Sequence, residues 1–230
     1  MVVGGLFDEK GLKDTQLVDL SSSKICGNLK PYPIAIYGAT GALVSENPVI
    51  CGGFQRTGNQ RKEQKECQMY NKSSNTWKFL TNMATEKAYL ASVPLNGQLF
   101  VTGGSSKEKF EKLSTTEFVS LNGEVTPGPP LPSPRFKHCM VVLPDGKVMI
   151  IGGGSPNNKK SVMMFDPDSK KFNESIYQDL IDEAWGAGCA VFNSPGHGNR
   201  PVVLSVGGKQ NDAEVYDYTK PNAVWTKSND

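Results

Sequence analysis

Residues 99–104, Leu99-Phe100-Val101-Thr102-Gly103-Gly104, decide the fold, because their pattern returns along the whole chain. A short apolar, β-prone run closed by two glycines reads as a buried strand ending where two backbones approach closely. It recurs as Pro48-Val49-Ile50-Cys51-Gly52-Gly53 and Val148-Met149-Ile150-Ile151-Gly152-Gly153, with further pairs at Gly4-Gly5 and Gly207-Gly208. Successive pairs stand 48, 51, 49 and 55 residues apart. A near-constant period of that length marks a repeat architecture. The competing reading, an ordinary sandwich with glycine turns, need not repeat its glycines.

The rest of the unit repeats too. After each glycine pair comes a polar loop, then an alternating strand: Thr15–Asp19, Cys67–Asn71, Thr116–Leu121, Ser161–Asp166 and Ala213–Asp217. A polar turn follows, then a strand with a large apolar anchor. Val18 to Ile25, Tyr70 to Trp77 and Phe165 to Phe172 are seven residues each, and Tyr216 to Trp225 is nine. Trp77 is expected to be a core anchor. A further strand, such as His138–Leu143 before the Pro144-Asp145-Gly146 turn, leads into the next glycine pair. Asp145-Gly146 and Asn96-Gly97 are strong hairpin signals. One unit is therefore four antiparallel strands in about 50 residues, the length of a kelch repeat.

Composition sets the outer bounds. The chain has 230 residues, enough for a substantial core, and 24 Gly with 15 Pro imply many turns. Its apolar runs are too short to span a bilayer, so no membrane insertion is expected. A formal net charge of +2, without basic stretches interleaved by aromatics, argues against a nucleic-acid partner. Met1-Val2-Val3-Gly4-Gly5 has no basic segment, long apolar core or cleavage site, so no secretory leader is expected in these residues.

On the Gly-Gly pairs, Tyr70…Trp77, Tyr216…Trp225 and the passages 89–104 and 135–153, the chain resembles the Kelch propeller family. The resemblance implies an all-β propeller of four-stranded antiparallel blades, forming a single domain over residues 1–230. The approximate blades are 1–29, 37–80, 87–127, 136–176 and 185–228. The first lacks its innermost strand, which leaves four complete blades and one of three strands. Either five blades close imperfectly, or the chain is part of a longer ring of six, as the family suggests; an open inner edge favours the second. A narrower likeness, to secreted invertebrate kelch proteins, rests on Ile50-Cys51-Gly52-Gly53 with Cys67, and on Arg135…His138-Cys139 with Gly188-Cys189.

Five cysteines occur, none with zinc-knuckle spacing, and only two histidines accompany them, so no metal is expected. Cys51 ends the second strand of its blade and Cys67 begins that strand's neighbour. Cys139 and Cys189 hold the same place on successive inner strands. Both pairs can therefore form disulfides, with Cys26 left over; reduced buried thiols are the alternative. Asn71-Lys72-Ser73 and Asn173-Glu174-Ser175 fit the glycosylation sequon, which adds a little to an extracellular reading.

No catalytic constellation assembles, so no cofactor is expected. Galactose oxidase, a propeller enzyme, needs two histidines and two tyrosines at copper, but His197 sits in an apparent surface insertion away from His138. No nucleophile elbow or phosphate loop is present. Ser175–Glu183 reads as a short helix between blades, with Asp182-Glu183 a solvated pair. What remains is a binding surface on the loops. Those after the glycine pairs carry Arg56, Arg61, Lys62, Lys107 and Lys159, and the inter-blade segments carry Lys87, Arg135 and Lys137. If both sets share one end, that end attracts an acidic peptide or glycan. The leading expectation is a non-catalytic, extracellular protein- or glycan-binding scaffold. The runner-up is a cytoplasmic substrate receptor like the propellers of BTB-Kelch ubiquitin adaptors, and a propeller oxidase or sugar epimerase is third.

Overall fold

The structure is a computed structural model describing residues 1–7, 10–19, 21–27, 29–57, 60–106, 111–154, 159–174, 178–209 and 212–228. It is all-β. Sheet 1 contains Val2–Val3, Thr15–Asp19 and Lys24–Cys26. Sheet 2 contains Thr40–Val44, Asn47–Cys51, Glu66–Asn71 and Thr76–Asn82. Sheet 3 contains Ala91–Leu95, Gln98–Thr102, Thr116–Val119 and Val125–Pro127. Sheet 4 contains Cys139–Val142, Val148–Ile151, Val162–Asp166 and Lys171–Asn173. Sheet 5 contains Gly188–Ser194, Arg200–Val206, Ala213–Tyr216 and Trp225–Lys227. Each is an antiparallel meander, consistent with the expected propeller.

The anchor spacing has a direct structural meaning. Val18 pairs with Ile25, Tyr70 with Trp77, Phe165 with Phe172 and Tyr216 with Trp225, all directly opposite across the last two strands of their sheets. Opposed residues in a hairpin share a face, so each pair makes one aromatic or aliphatic contact. The strands are slightly shorter than expected in sheets 3, 4 and 5, ending at Val119 and Tyr216 and starting at Val162.

The first strands of neighbouring sheets stand side by side from sheet 2 through sheet 5. Apolar clusters fill each gap. Val49, Cys51, Leu99 and Val101 lie between sheets 2 and 3. Phe100, Ile150 and Phe165 lie between sheets 3 and 4, and Met149, Ile151, Val203 and Trp225 between sheets 4 and 5. Trp225 is buried at 4 % exposure. Trp77, expected as a comparable core anchor, is only half-buried against Tyr70 and Tyr32, because sheet 1 covers it incompletely.

The glycine pairs explain how the sheets join. The second glycine's N–H donates to a carbonyl in the segment leading into the next sheet: Gly53 to Lys87, Gly104 to Arg135 and Gly153 to Ala184, at 2.9–3.2 Å. The first glycine has positive φ, +65° at Gly52 and +58° at Gly103. A Cβ at Gly52 would stand 2.7 Å from the Lys87 carbonyl oxygen, and one at Gly103 would strike that of Arg135. No side chain fits between strand end and neighbouring backbone.

The helix expected across Ser175–Glu183 does not form over its described part, residues 178–183. The Glu214 carboxylate instead accepts the N–H groups of Ile181 and Asp182, both at 2.8 Å, which replaces the bonds a helical turn would supply. Asp182 and Glu183 lie in ion pairs with Lys227 at 2.9 Å and Lys159 at 3.2 Å.

Candidate binding face

Because the glycine pairs at Gly4-Gly5, Gly52-Gly53, Gly103-Gly104 and Gly152-Gly153 dock on the segment leading into the next sheet, the loops after the glycines and those lead-in segments meet at one end of the molecule. That end is held together by a backbone chain crossing four sheets. Tyr89 N–H donates to Gly38, Lys137 N–H to Tyr89, and Gly186 N–H to Lys137, at 2.7–2.8 Å. All four residues are left-handed, with φ between +54° and +76°. For Tyr89 and Lys137, which carry side chains, this conformation is costly, so the surrounding contacts must hold it.

Those contacts are aromatic. Phe54 stacks on Tyr37 at 5.2 Å and meets Tyr89 edge-on at 5.2 Å. The Lys137 ammonium lies over the Tyr89 ring at 4.7 Å and over the Trp185 ring at 4.6 Å. Lys112 approaches Phe136 at 5.8 Å. Trp185 remains 40 % exposed. Burial pushes the Tyr89 phenol up, the neighbouring Tyr37 adds to this, and the nearby Arg61 charge pulls it back.

The residues expected to bind a partner divide between surface and interior. Arg56 and Arg61 pair across the hairpin Phe54–Thr57 with Gln60–Glu63, where Lys62 is exposed. Lys137 sits in the aromatic sandwich, and Lys159 is occupied by Glu183. Lys107 lies outside the described residues. Arg135 and Lys87, expected on a basic surface, are both 0 % exposed. Arg135 donates to the Gly152 carbonyl at 3.0 Å and to the Ser161 hydroxyl at 3.1 Å, and burial draws its guanidinium down to about 10. Lys87 is paired with the buried Glu117, which also accepts the Ala84 N–H at 3.0 Å. These two cations hold the lead-in segments in place, from inside.

Sequence reading missed the aromatic ring of this face. Its signal was present: Tyr37, Tyr89, Phe136 and Trp185 each stand in a lead-in segment, at intervals close to the glycine period.

His138 is buried, and its Nε2 lies 2.7 Å from the Thr102 hydroxyl. Burial and the Arg135 charge lower its pKa to about 3, so the imidazole is neutral. His197 sits in the turn between the first two strands of sheet 5, at the opposite end, with Nδ1 3.0 Å from the Ser194 hydroxyl. Among the described residues no group of three or more His, Cys, Asp or Glu is placed to hold a metal ion.

Both expected cysteine pairs lie at disulfide distance. Cys51 and Cys67 are directly opposed across sheet 2 with Cα atoms 4.1 Å apart. Cys139 and Cys189 join the first strands of sheets 4 and 5, with Cα atoms 5.9 Å apart. Cys26 is the remaining cysteine. The Asn71 side chain accepts the Ser74 N–H at 2.9 Å in the turn of sheet 2. Asn173 is exposed, but the last residue of its sequon, Ser175, lies outside the described residues. Among the described residues no helix is long and apolar enough to cross a membrane.

No protein-family model matches the chain. It is similar to Kelch-like protein 15 of Homo sapiens, 25 % identical over 194 residues, covering 76 % of this chain and 32 % of that protein. It is also similar to Kelch repeat and BTB domain-containing protein 12 of Danio rerio, 26 % identical over 159 residues, covering 60 % of this chain and 25 % of that protein. The chain spans a third or less of the length of these curated relatives. The repeated glycine pairs, the four-stranded sheets and these relatives together support a Kelch-repeat family for the chain.

Proposed function

We propose that the chain is a non-catalytic protein-binding scaffold whose working surface is the end bearing Tyr37, Phe54, Tyr89, Lys137 and Trp185. The observation that carries this reading is the Lys137 ammonium held between Tyr89 and Trp185, with Arg61 beside Tyr89. Rigid aromatic surface beside fixed cations suits a partner segment carrying Asp or Glu, because aromatics and arginine supply most binding energy at interfaces. A glycan would meet the same rings by stacking and is the lesser reading. An extracellular setting is supported by the two cysteine pairs at disulfide distance. The cytoplasmic adaptor reading is supported by the relative named as carrying a BTB domain.

The test is selection of peptides from a random library on the immobilised protein, with rebinding to a Lys137→Ala, Trp185→Ala variant. Enrichment of acidic peptides that lose affinity for the variant and weaken with salt is the expected result. Enriched peptides that ignore the variant would remove this face from the function. Intact mass with and without reduction decides the compartment: two disulfides favour secretion, five free thiols the adaptor.

A further inference from the structure

The two cysteine pairs differ in reach as well as in span. Cys51 and Cys67 are 0 % exposed and lie within one sheet. Cys139 and Cys189 are half-buried and join the first strands of sheets 4 and 5 across the gap between them. A dissolved thiol must touch a sulfur to exchange with it, so the second pair is the accessible one.

That pair also stands beside the contact between Lys137 and Trp185. Lys137 precedes Cys139 by two residues, and Trp185 precedes Cys189 by four. Each lies in a short span pinned at both ends. On the sheet 4 side the pins are Arg135, whose buried guanidinium donates to the Gly152 carbonyl, and Cys139. On the sheet 5 side they are Ala184 and Cys189. The Ala184 N–H donates to the Lys159 carbonyl at 2.8 Å, and its own carbonyl accepts the Gly153 N–H at 3.2 Å. Between these pins the spans meet twice: Gly186 N–H donates to the Lys137 carbonyl at 2.7 Å, and the Lys137 ammonium lies 4.6 Å from the Trp185 ring centroid. Lys137 is left-handed at +54°, a conformation that persists only while its surroundings hold it.

We propose that Cys139–Cys189 is a thiol-reversible lock on this part of the face. Joined, the two sulfurs hold the spans close enough for Lys137 to keep its strained backbone and its place on Trp185. Parted, sheets 4 and 5 stay stacked on Met149, Ile151, Val203 and Trp225, while Lys137 relaxes and Trp185 leaves it. The reductant is a small dissolved thiol of the glutathione class. Its thiolate attacks one sulfur, the S–S bond breaks, and the other cysteine leaves as a thiolate and takes a proton. A second small thiol then displaces the first, so two electrons pass to the protein and one small disulfide is released. The reverse exchange uses that disulfide as oxidant. Any effect on binding rests on the reading of this end as the working surface; the loosening itself does not.

The test equilibrates the oxidised 230-residue chain in glutathione buffers of rising reduced-to-oxidised ratio, alkylates the free thiols and maps them by mass. Cys139 and Cys189 should be alkylated before Cys51 and Cys67. At the ratio that opens only the first pair, amide exchange at Gly186 should quicken about tenfold or more while Ile150 keeps its protection. The Cys139→Ser, Cys189→Ser variant should exchange fast at Gly186 at every ratio, and Cys51→Ser, Cys67→Ser should keep the response. The native chain carries the test by itself if either variant fails to fold. Opening of Cys51–Cys67 first, free thiols at the most oxidising ratio, or Gly186 exchange unchanged after opening would each overturn the lock. A fluorescent hexaglutamate peptide, followed by anisotropy, reads the face separately. Weaker binding on opening supports lock and face together, and equal binding in both states would overturn the lock as a control on binding. No binding in either state counts against the face alone, since Gly186 exchange decides the lock.

Discussion

Gly103 and Gly207 hold the same place in the repeat, yet they stand in different surroundings. Both are left-handed, at +58° and +89°. A Cβ at Gly103 would strike the Arg135 carbonyl oxygen, while one at Gly207 would meet nothing within 4 Å among the described residues. Gly207→Ala should therefore cost only the left-handed penalty of about 1–2 kcal/mol. Gly103→Ala must also push two sheets apart, and thermal melting should show a loss of more than about 3 kcal/mol. Equal losses would mean that glycine serves backbone conformation alone. His138 makes the second prediction at this scale. Its pKa falls from 6.5 to about 3 on folding, so between those values the unfolded chain binds a proton that the folded chain refuses. The stability it contributes is complete above pH 6.5 and is lost as pH falls toward 3, with a slope of about 1.4 kcal/mol per pH unit. Denaturant unfolding from neutral to acid pH should show this slope, and His138→Gln should lack its share.

At the scale of the strand pair, the anchors differ by what lies behind them. Trp225 packs tilted against Tyr216 at 5.1 Å and donates its indole N–H to the Gln178 carbonyl at 3.2 Å, filling the gap between sheets 4 and 5. Trp77 makes the equivalent pair with Tyr70, but sheet 1 leaves it half open. Trp225→Ala should cost about 3–5 kcal/mol and Trp77→Ala about 2 kcal/mol, measured by urea denaturation. The recurring spacing, seven residues to Trp77 and nine to Trp225, made both anchors legible, since opposed residues across a turn must share a face. Their burial was not legible, because it depends on the sheet behind, which spacing along one hairpin does not describe.

Across the whole molecule, cohesion comes from the gaps between sheets, so links spanning a gap matter more than links within a sheet. Cys139–Cys189 spans one, with a sequence separation of 50; Cys51–Cys67 stays within sheet 2, with a separation of 16. In oxidised protein, removing the first should cost about 4 kcal/mol and the second about 3 kcal/mol on loop entropy. Melting of the Cys139→Ser, Cys189→Ser variant against Cys51→Ser, Cys67→Ser measures the difference. Melting unchanged by reductant would show that the thiols are not joined in the native state.

The sequence by itself determined the repeat, the four-strand unit, the anchor pairs and the reach of both cysteine pairs. Each follows from local periodicity, which backbone geometry converts into strands and turns within one unit. Only the tertiary structure decided which charges are surface. Lys87 and Arg135 read as loop cations, but the glycine docking carries their backbone into the joint between sheets and turns their side chains inward to Glu117 and the Gly152 carbonyl. It also brought Tyr89, Lys137 and Trp185 together from the segments leading into three different sheets. Side chains about 50 residues apart meet only when whole sheets stack, and stacking is set by the sum of the repeats rather than by any one of them.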